Sequence, residues 1–349
     1  MVSRRHALLA CLAAVVPCAH ASRGVFVAPP VLPEEKDPIL AAAERSRAAN
    51  TLKLAEPSSE QAALARKLGL SSGSVLVVDR DTREVLLTKG ARAVRPIASI
   101  TKLMTALLVV ESGQPLDEML TITEDDVDTI KNTNSRLWVG ARLTRGELLH
   151  LALMSSENRA AHALGRNTPG GVDAFVLRMN QRAAQLGMTS TRFADPTGLS
   201  DENRSTAIDL ARLVMEASKH PLIRELSTDV EAQVPVGDRT ITYRTSNRLV
   251  RNPSWDIELQ KTGYIREAGR CLVMQATLAG RKVIMVLLDA ATPALRMMDA
   301  QRLRRWLEGA SLEELVQRPA RAVVRRAAAL RSRRSRQVAA RRASRSRRR

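Results

Sequence analysis

The sequence predicts an α+β fold in which helices pack on one five-stranded antiparallel sheet. Three observations lead there. Strand-like apolar runs stand near both ends of the body of the chain, and those near each end pair through tight turns. The long stretch between the two groups changes to helical periodicity. No internal repeat divides the 349 residues, and an apolar content of 44% excludes a wholly disordered chain.

The elements follow in order. Residues 1–21 read as an export signal, with Arg4 and Arg5 ahead of an apolar run from Ala7 to Val16 and a small-residue cleavage site at Ala19-His20-Ala21. That run is short and closed by Pro17, which favours a cleaved leader over a retained anchor. Ser3-Arg4-Arg5 also resembles the start of a twin-arginine signal, although Ala7 stands where that pattern prefers a bulky apolar residue. Residues 22–70, rich in Pro, Ala and charge towards their start, predict a flexible approach segment with a short helix near 39–49, order beginning near Gly73. Strands are expected at 74–79 and 85–89, joined by the turn at 80–83. Ile100, Leu103, Met104, Leu107 and Leu108 then recur at helical spacing, and 148–163, 172–186 and 206–218 repeat the pattern. Strands return at 257–260, 271–278 and 283–289, the last two joined by the turn at 279–282, and a final helix covers 294–307. Residues 71–310 form the body, and 311–349 an Arg/Ala-rich tail.

The formal charge of +19 sits mostly in that tail, where residues 319–349 hold thirteen arginines and no acid. Such a polycation suits an anionic membrane or wall surface, or else is a solvated appendage. Nucleic acid is not expected, since the chain has an export signal and only eight aromatic residues on which bases could stack. Cys11 and Cys18 leave with the leader, so the mature chain keeps Cys271 alone, in an apolar strand, buried and without a disulfide partner.

Three short motifs carry chemistry. Ser99-Ile-Thr-Lys102 opens the first apolar helix, and its i, i+3 spacing lets the lysine amine reach the serine hydroxyl. Ser156-Glu157-Asn158 interrupts an apolar helical run, either as a polar cluster inside a cleft or as a kink or cap. Lys261-Thr262-Gly263 follows a strand, and its glycine permits close backbone approach unless the three merely form a turn.

Taken together, in this order, the motifs resemble the S-x-x-K, S-x-N and K-T-G set of penicillin-binding proteins and serine β-lactamases. The segments around them, with Phe193-Ala-Asp-Pro-Thr-Gly-Leu199 and Ser205-Thr-Ala-Ile-Asp-Leu-Ala211, resemble the low-molecular-mass serine D-Ala-D-Ala peptidases over about residues 70–310. Ala268-Gly-Arg-Cys-Leu-Val-Met274 and the lack of a second β-domain after 310 are most similar to the endopeptidase branch of that family.

The resemblance implies a β-lactamase/transpeptidase-like fold with a helical subdomain. It also implies cleavage of D-alanyl bonds in peptidoglycan peptide stems, with β-lactams as covalent inhibitors and no cofactor or metal. By position, Ser99 is the nucleophile and Lys102 its general base, while Ser156 passes a proton to the leaving amine. Asn158 holds substrate and Lys102, Lys261 and Thr262 bind substrate, and the N–H groups of Ser99 and Tyr264, the latter just after Gly263, form the oxyanion hole. Ile265 stands where the family often has threonine, so any hydroxyl contact there is lost.

Serine attacks only when a neighbouring base takes its proton, so burial, the helix N-terminus and the like charge of Lys261 are expected to hold Lys102 neutral. Lys261 then remains the charged anchor. Carboxypeptidase and β-lactamase are the nearest rivals, though no deacylating carboxylate stands out beyond Glu157, Asp201 and Glu202. A non-catalytic basic surface-binding protein is the rival of another class. Histidines 150, 162 and 220 form neither a zinc motif nor a Ser-His-Asp set.

Overall fold

The computed structural model describes residues 59–315. The leader, the helix expected near 39–49 and the basic tail lie outside the described residues.

Five antiparallel strands form the expected sheet: β1 (Ser74–Asp79), β2 (Val85–Lys89), β3 (Asp256–Ile265), β4 (Gly269–Leu278) and β5 (Arg281–Ala290), in the order β2-β1-β5-β4-β3. Strands from the two ends of the body meet in the middle, with Val77 of β1 opposite Met285 of β5. Side chains alternate between the faces of a strand, and β5 is apolar on both. Val283, Met285 and Leu287 enter one core while Ile284, Val286 and Leu288 enter the other. Its run of apolar residues without alternation is thus the signature of a strand covered twice.

On one face lie α1 (Ser59–Lys67) and α8 (Pro293–Leu307), which contribute Ala65, Ala300 and Leu303 to the smaller core. On the other lie α2 (Lys102–Glu111) and α6 (Ala207–Ala217), and beyond them α3 (Arg145–Met154), α4 (Asn158–Arg166) and α5 (Gly171–Gln185). Helix α3 is sheathed in protein, with Leu148, Leu149, Leu151 and Leu153 all fully buried. Each such side chain contributes about 1.5–3 kcal/mol of burial, which makes α3 the pillar of the helical half. A capping box between Thr144 and Glu147 fixes where it starts.

Five sequence expectations change. Residues 59–70 are not a flexible approach: α1 and the buried Leu68 and Leu70 pack on the sheet, and Gln61 Nε2 donates to Val85 O at 2.9 Å. Ordered structure therefore begins before Gly73. The helix expected over 148–163 is two helices, because Ser156 takes φ 66° and Glu157 caps α4. Strand β3 runs on to Ile265, so Lys261-Thr262-Gly263 lies inside a strand and is not a turn. A further hairpin, Glu231–Val236 with Arg239–Arg244, follows α7 (Pro221–Thr228). Finally, residues 311–315 belong to the body, since Leu315 is buried in the smaller core.

Candidate active site

The chain enters α2 through a tight 3-10 turn at Ala98–Thr101. Ala98 takes φ 48°, and Thr101 Oγ1 donates to Ala98 O at 2.8 Å, which holds Ser99 at the mouth of the helix. One turn on, Lys102 is fully buried, and its Nζ donates to Ser99 Oγ at 3.0 Å.

Two further acceptors hold the Lys102 amine, Asn158 Oδ1 at 2.7 Å and Thr197 O at 2.6 Å. Asn158 is available because the chain breaks at Ser156 and restarts as α4 at this residue. Its Nδ2 donates to Thr133 Oγ1 at 2.9 Å, which sets the amide so that the oxygen faces the lysine. Thr197 belongs to a loop gathered by Asp195, whose carboxylate accepts from Thr197 N at 2.6 Å, Gly198 N at 2.7 Å and Ser200 N at 3.0 Å. Gly198 takes φ 81°, and a Cβ there would stand 2.0 Å from Ala98 O. Only glycine allows that loop to press against the Ser99 turn.

Strand β3 forms the opposite wall. Lys261 is also fully buried, and its Nζ donates to Ser156 Oγ at 2.8 Å and Thr262 O at 2.9 Å. Thr262 Oγ1 donates to Ser246 Oγ at 2.7 Å. A Cβ on Gly263 would lie 3.0 Å from Ile97 O and 3.1 Å from Ser99 N, so the glycine is what lets the strand approach the serine. Ser99 and Ser156 thus each touch one buried lysine, and Ser156 holds its hydroxyl against Lys261 from a left-handed backbone.

Burial pushes the pKa of Lys102 down to about 8, although Asp195, Glu157 and Asp128 favour its charge. Lys261 is held well below its ordinary value by burial, and the charges of Lys102 and Arg296 push it further in the same direction. Both amines are depressed by burial; Asp195, Glu157 and Asp128 oppose the shift at Lys102, whereas only like charges act on Lys261.

Above these groups lies a cleft of about 750 Å³, lined by Ser99, Ser156, Asn158, Thr262, Gly263 and Tyr264 among others. With the two lysines beneath it, all eight residues singled out from the sequence meet in one place. Sequence reasoning missed Asp195 and Thr133 as organisers, and it missed Arg248, Arg270 and Arg296, which also line the cleft. The glycine and aspartate of Asp195-Pro-Thr-Gly198 were a turn signal that could have pointed to that loop. His150, His162 and His220 face carboxylates elsewhere, at 3.0, 2.7 and 3.9 Å respectively. Cys271 is buried, with its thiol pushed up to about 11 by desolvation. Among the described residues no cluster of His, Cys, Asp and Glu could hold a metal ion, and no helix is long and apolar enough to cross a membrane.

Comparison with known proteins matches residues 59–292 to the D-alanyl-D-alanine carboxypeptidase family. A D-alanyl-D-alanine endopeptidase of Pseudomonas aeruginosa is 48% identical over 241 residues, covering 68% of this chain and 78% of its own. Among solved structures, the Streptomyces DD-transpeptidase superposes with a TM-score of 0.64 at 28% identity, over 69% of this chain and 98% of its own. A Listeria monocytogenes penicillin-binding protein with ampicillin bound gives 0.58 at 31%, over 67% and 96%.

Proposed function

This chain belongs to the D-alanyl-D-alanine carboxypeptidase family of serine peptidases, and from that premise we propose that it is a peptidoglycan DD-endopeptidase. It hydrolyses the bond between a D-alanyl carbonyl and the amine of a neighbouring stem peptide, through an ester on Ser99. The observation that carries this reading is the 3.0 Å contact of Ser99 Oγ with the buried amine of Lys102, whose pKa lies within reach of neutral pH. The endopeptidase assignment, as against carboxypeptidase, is supported by the 48% identity to the Pseudomonas enzyme.

In acylation, neutral Lys102 takes the Ser99 proton as Oγ attacks the D-alanyl carbonyl carbon. The oxyanion is met by the N–H groups of Ser99 and Tyr264, on two backbones that Gly263 allows to approach each other. The C–N bond breaks as the Ser156 hydroxyl, already held by Lys261, gives its proton to the departing amine and receives in exchange the proton that Lys102 took from Ser99, which leaves Lys102 neutral again. Lys102 then deprotonates a water that attacks the ester carbonyl, and it returns that proton to Ser99 Oγ as the acyl C–O bond breaks. Asn158 orients Lys102 and the substrate amide, while Lys261 and Thr262 bind the substrate. The ampicillin held by the Listeria relative supports β-lactams as covalent inhibitors of this site.

Export completes the reading: the leader is removed after Ala21, the enzyme works in the periplasm, and the 319–349 tail holds it to anionic lipid or wall polymer.

Labelled penicillin tests the chemistry, and digestion of cross-linked stem dimers tests the substrate. Ser99→Ala should abolish labelling, and the wild type should split dimers to monomers faster than it removes terminal D-alanine from free pentapeptide. Labelling of a folded Ser99→Ala protein overturns the nucleophile, and the reverse substrate preference makes the enzyme a carboxypeptidase.

A further inference from the structure

The cleft is unbalanced in charge beyond what the reaction uses. Arg248, Arg270 and Arg296 line it together with Ser99, and none of the three has a carboxylate within ion-pair distance among the described residues. Arg296 is nearly buried and anchored by Nη1 to Cys271 O at 3.0 Å. Arg270 is held differently. It lies opposite Tyr264 in the β3–β4 register, and its guanidinium carbon stacks 3.3 Å from the centroid of that ring. Its Nε is buried without a hydrogen-bond partner among the described residues. Such orphan donors are rare in folded proteins.

The like charges also act on one another. Arg296 is pushed down by burial and by the charge of Arg270, although Cys271 opposes this, and Arg296 in turn depresses Lys261. An anion entering this end of the cleft relieves that repulsion. The stack on Tyr264 fixes the guanidinium beforehand, so little side-chain freedom is lost when it binds.

Position sets what the anion can be. Thr262 and Tyr264 are two residues apart on one strand and both line the cleft, so they lie about 7 Å apart along it. A leaving D-alanine has one carboxylate, on the carbon that bears the departing nitrogen. It cannot occupy the Lys261–Thr262 end and also reach the Tyr264–Arg270 stack. A stem-peptide amine that carries a further free carboxylate several bonds away can do both.

Building on the DD-peptidase reading, we infer that Arg270, stacked on Tyr264, is a specificity-determining subsite for a second carboxylate on the leaving group. It favours cross-linked stems over a terminal D-alanine.

The test uses the full chain and three synthetic substrates with one acyl donor. Their leaving groups are D-alanine, a diamino dicarboxylic acid attached through one amine, and the same acid with its distal carboxylate amidated. In the wild type, amidation should lower kcat/KM about tenfold, the usual size of one charge-assisted hydrogen bond. Arg270→Gln should remove that discrimination, leaving the dicarboxylate and its amide equal, with Arg270→Lys restoring part of it. Release of D-alanine should change much less than turnover of the dicarboxylate. Persistence of the tenfold ratio in Arg270→Gln overturns the inference, as does an equal loss with all three substrates. Penicillin acylation of Ser99 reads the underlying reaction separately. A wild type that is acylated but indifferent to amidation refutes the subsite alone, whereas one that is neither acylated nor active refutes the peptidase reading and the subsite with it.

Discussion

Raising the pH from 6 to 8 should accelerate acylation of Ser99 by a penicillin roughly fiftyfold. The figure follows from a Lys102 pKa of about 8, since the neutral amine is about 1% of the total at pH 6 and half at pH 8. Only the neutral form accepts the serine proton, so the rate rises with pH through that value and levels off above it. The carboxylates around the lysine fix where the midpoint falls. Glu157 favours the charged amine, and it can be neutralised with little loss of structure, because Gln keeps the Oε1 that accepts from Ser135 Oγ at 2.7 Å. Glu157→Gln should therefore move the midpoint to lower pH and give faster acylation than the wild type at pH 6. Stopped-flow measurement with a chromogenic β-lactam between pH 5.5 and 9.5 reads both effects. A rate that is flat from pH 6 to 8, or a midpoint that rises in Glu157→Gln, would refute the assignment of Lys102 as the base whose burial governs the reaction.

Gly263→Ala should leave a folded protein whose acylation rate falls on the order of 100-fold, because the new methyl meets Ile97 O and Ser99 N and pushes β3 away from the serine; an unchanged rate by the same assay would show that this approach is dispensable. Lys102→Met should lose acylation yet resist urea better at pH 7, by up to about 3 kcal/mol, since the buried amine has its pKa lowered from 10.5 to about 8. The sign is fixed by that lowering: the unfolded chain binds the extra proton between pH 8 and 10.5, so wild-type stability rises with pH there and the advantage of Met shrinks. A gain that grows with pH contradicts this. Removing 319–349 should leave acylation unchanged and reduce sedimentation with anionic vesicles or sacculi; binding of the intact protein should fade with salt as the Debye length drops from ~10 Å at 0.1 M to ~3 Å at 1 M. Equal, salt-insensitive binding of both forms would make the tail a solvated appendage.

Periodicity and spacing carried the sequence reading as far as local pattern reaches. The alternating or continuous apolar strands at 74–79, 271–278 and 283–289 were legible because β-structure covered on both faces needs β-branched and aliphatic side chains at nearly every position. Ser99 and Lys102 were legible because they are one helical turn apart. The break of the 148–163 helix was not, since it depends on the left-handed backbone of Ser156, which hydrophobic periodicity does not register. Helix α1 escaped because its short apolar face follows a stretch of Pro and charge, and what stabilises it is tertiary packing on β2. The carboxylates that act on Lys102 escaped for a related reason. Asp195 and Asp128 lie 93 and 26 residues from Lys102 in the chain, and only the fold brings them to it.

The site is built against the grain of the fold around it. Two amines are buried without a directly bonded carboxylate, and Ala98 and Ser156 hold φ values that their side chains disfavour. Strain of this kind survives only where neighbours over-determine it. Here the neighbours are identifiable. Ala98 lies between the Gly198 loop and β3, and Ser156 lies between the sheathed helix α3 and the capped start of α4. The burial that destabilises the lysines is the same burial that lowers their pKa values and makes one of them a base near neutral pH. Relaxing the site by opening it to water would return Lys102 towards its ordinary value and leave Ser99 without a partner able to take its proton. The cost in stability and the nucleophile are therefore one property. The two apolar cores on either side of the sheet supply the excess stability against which it is held.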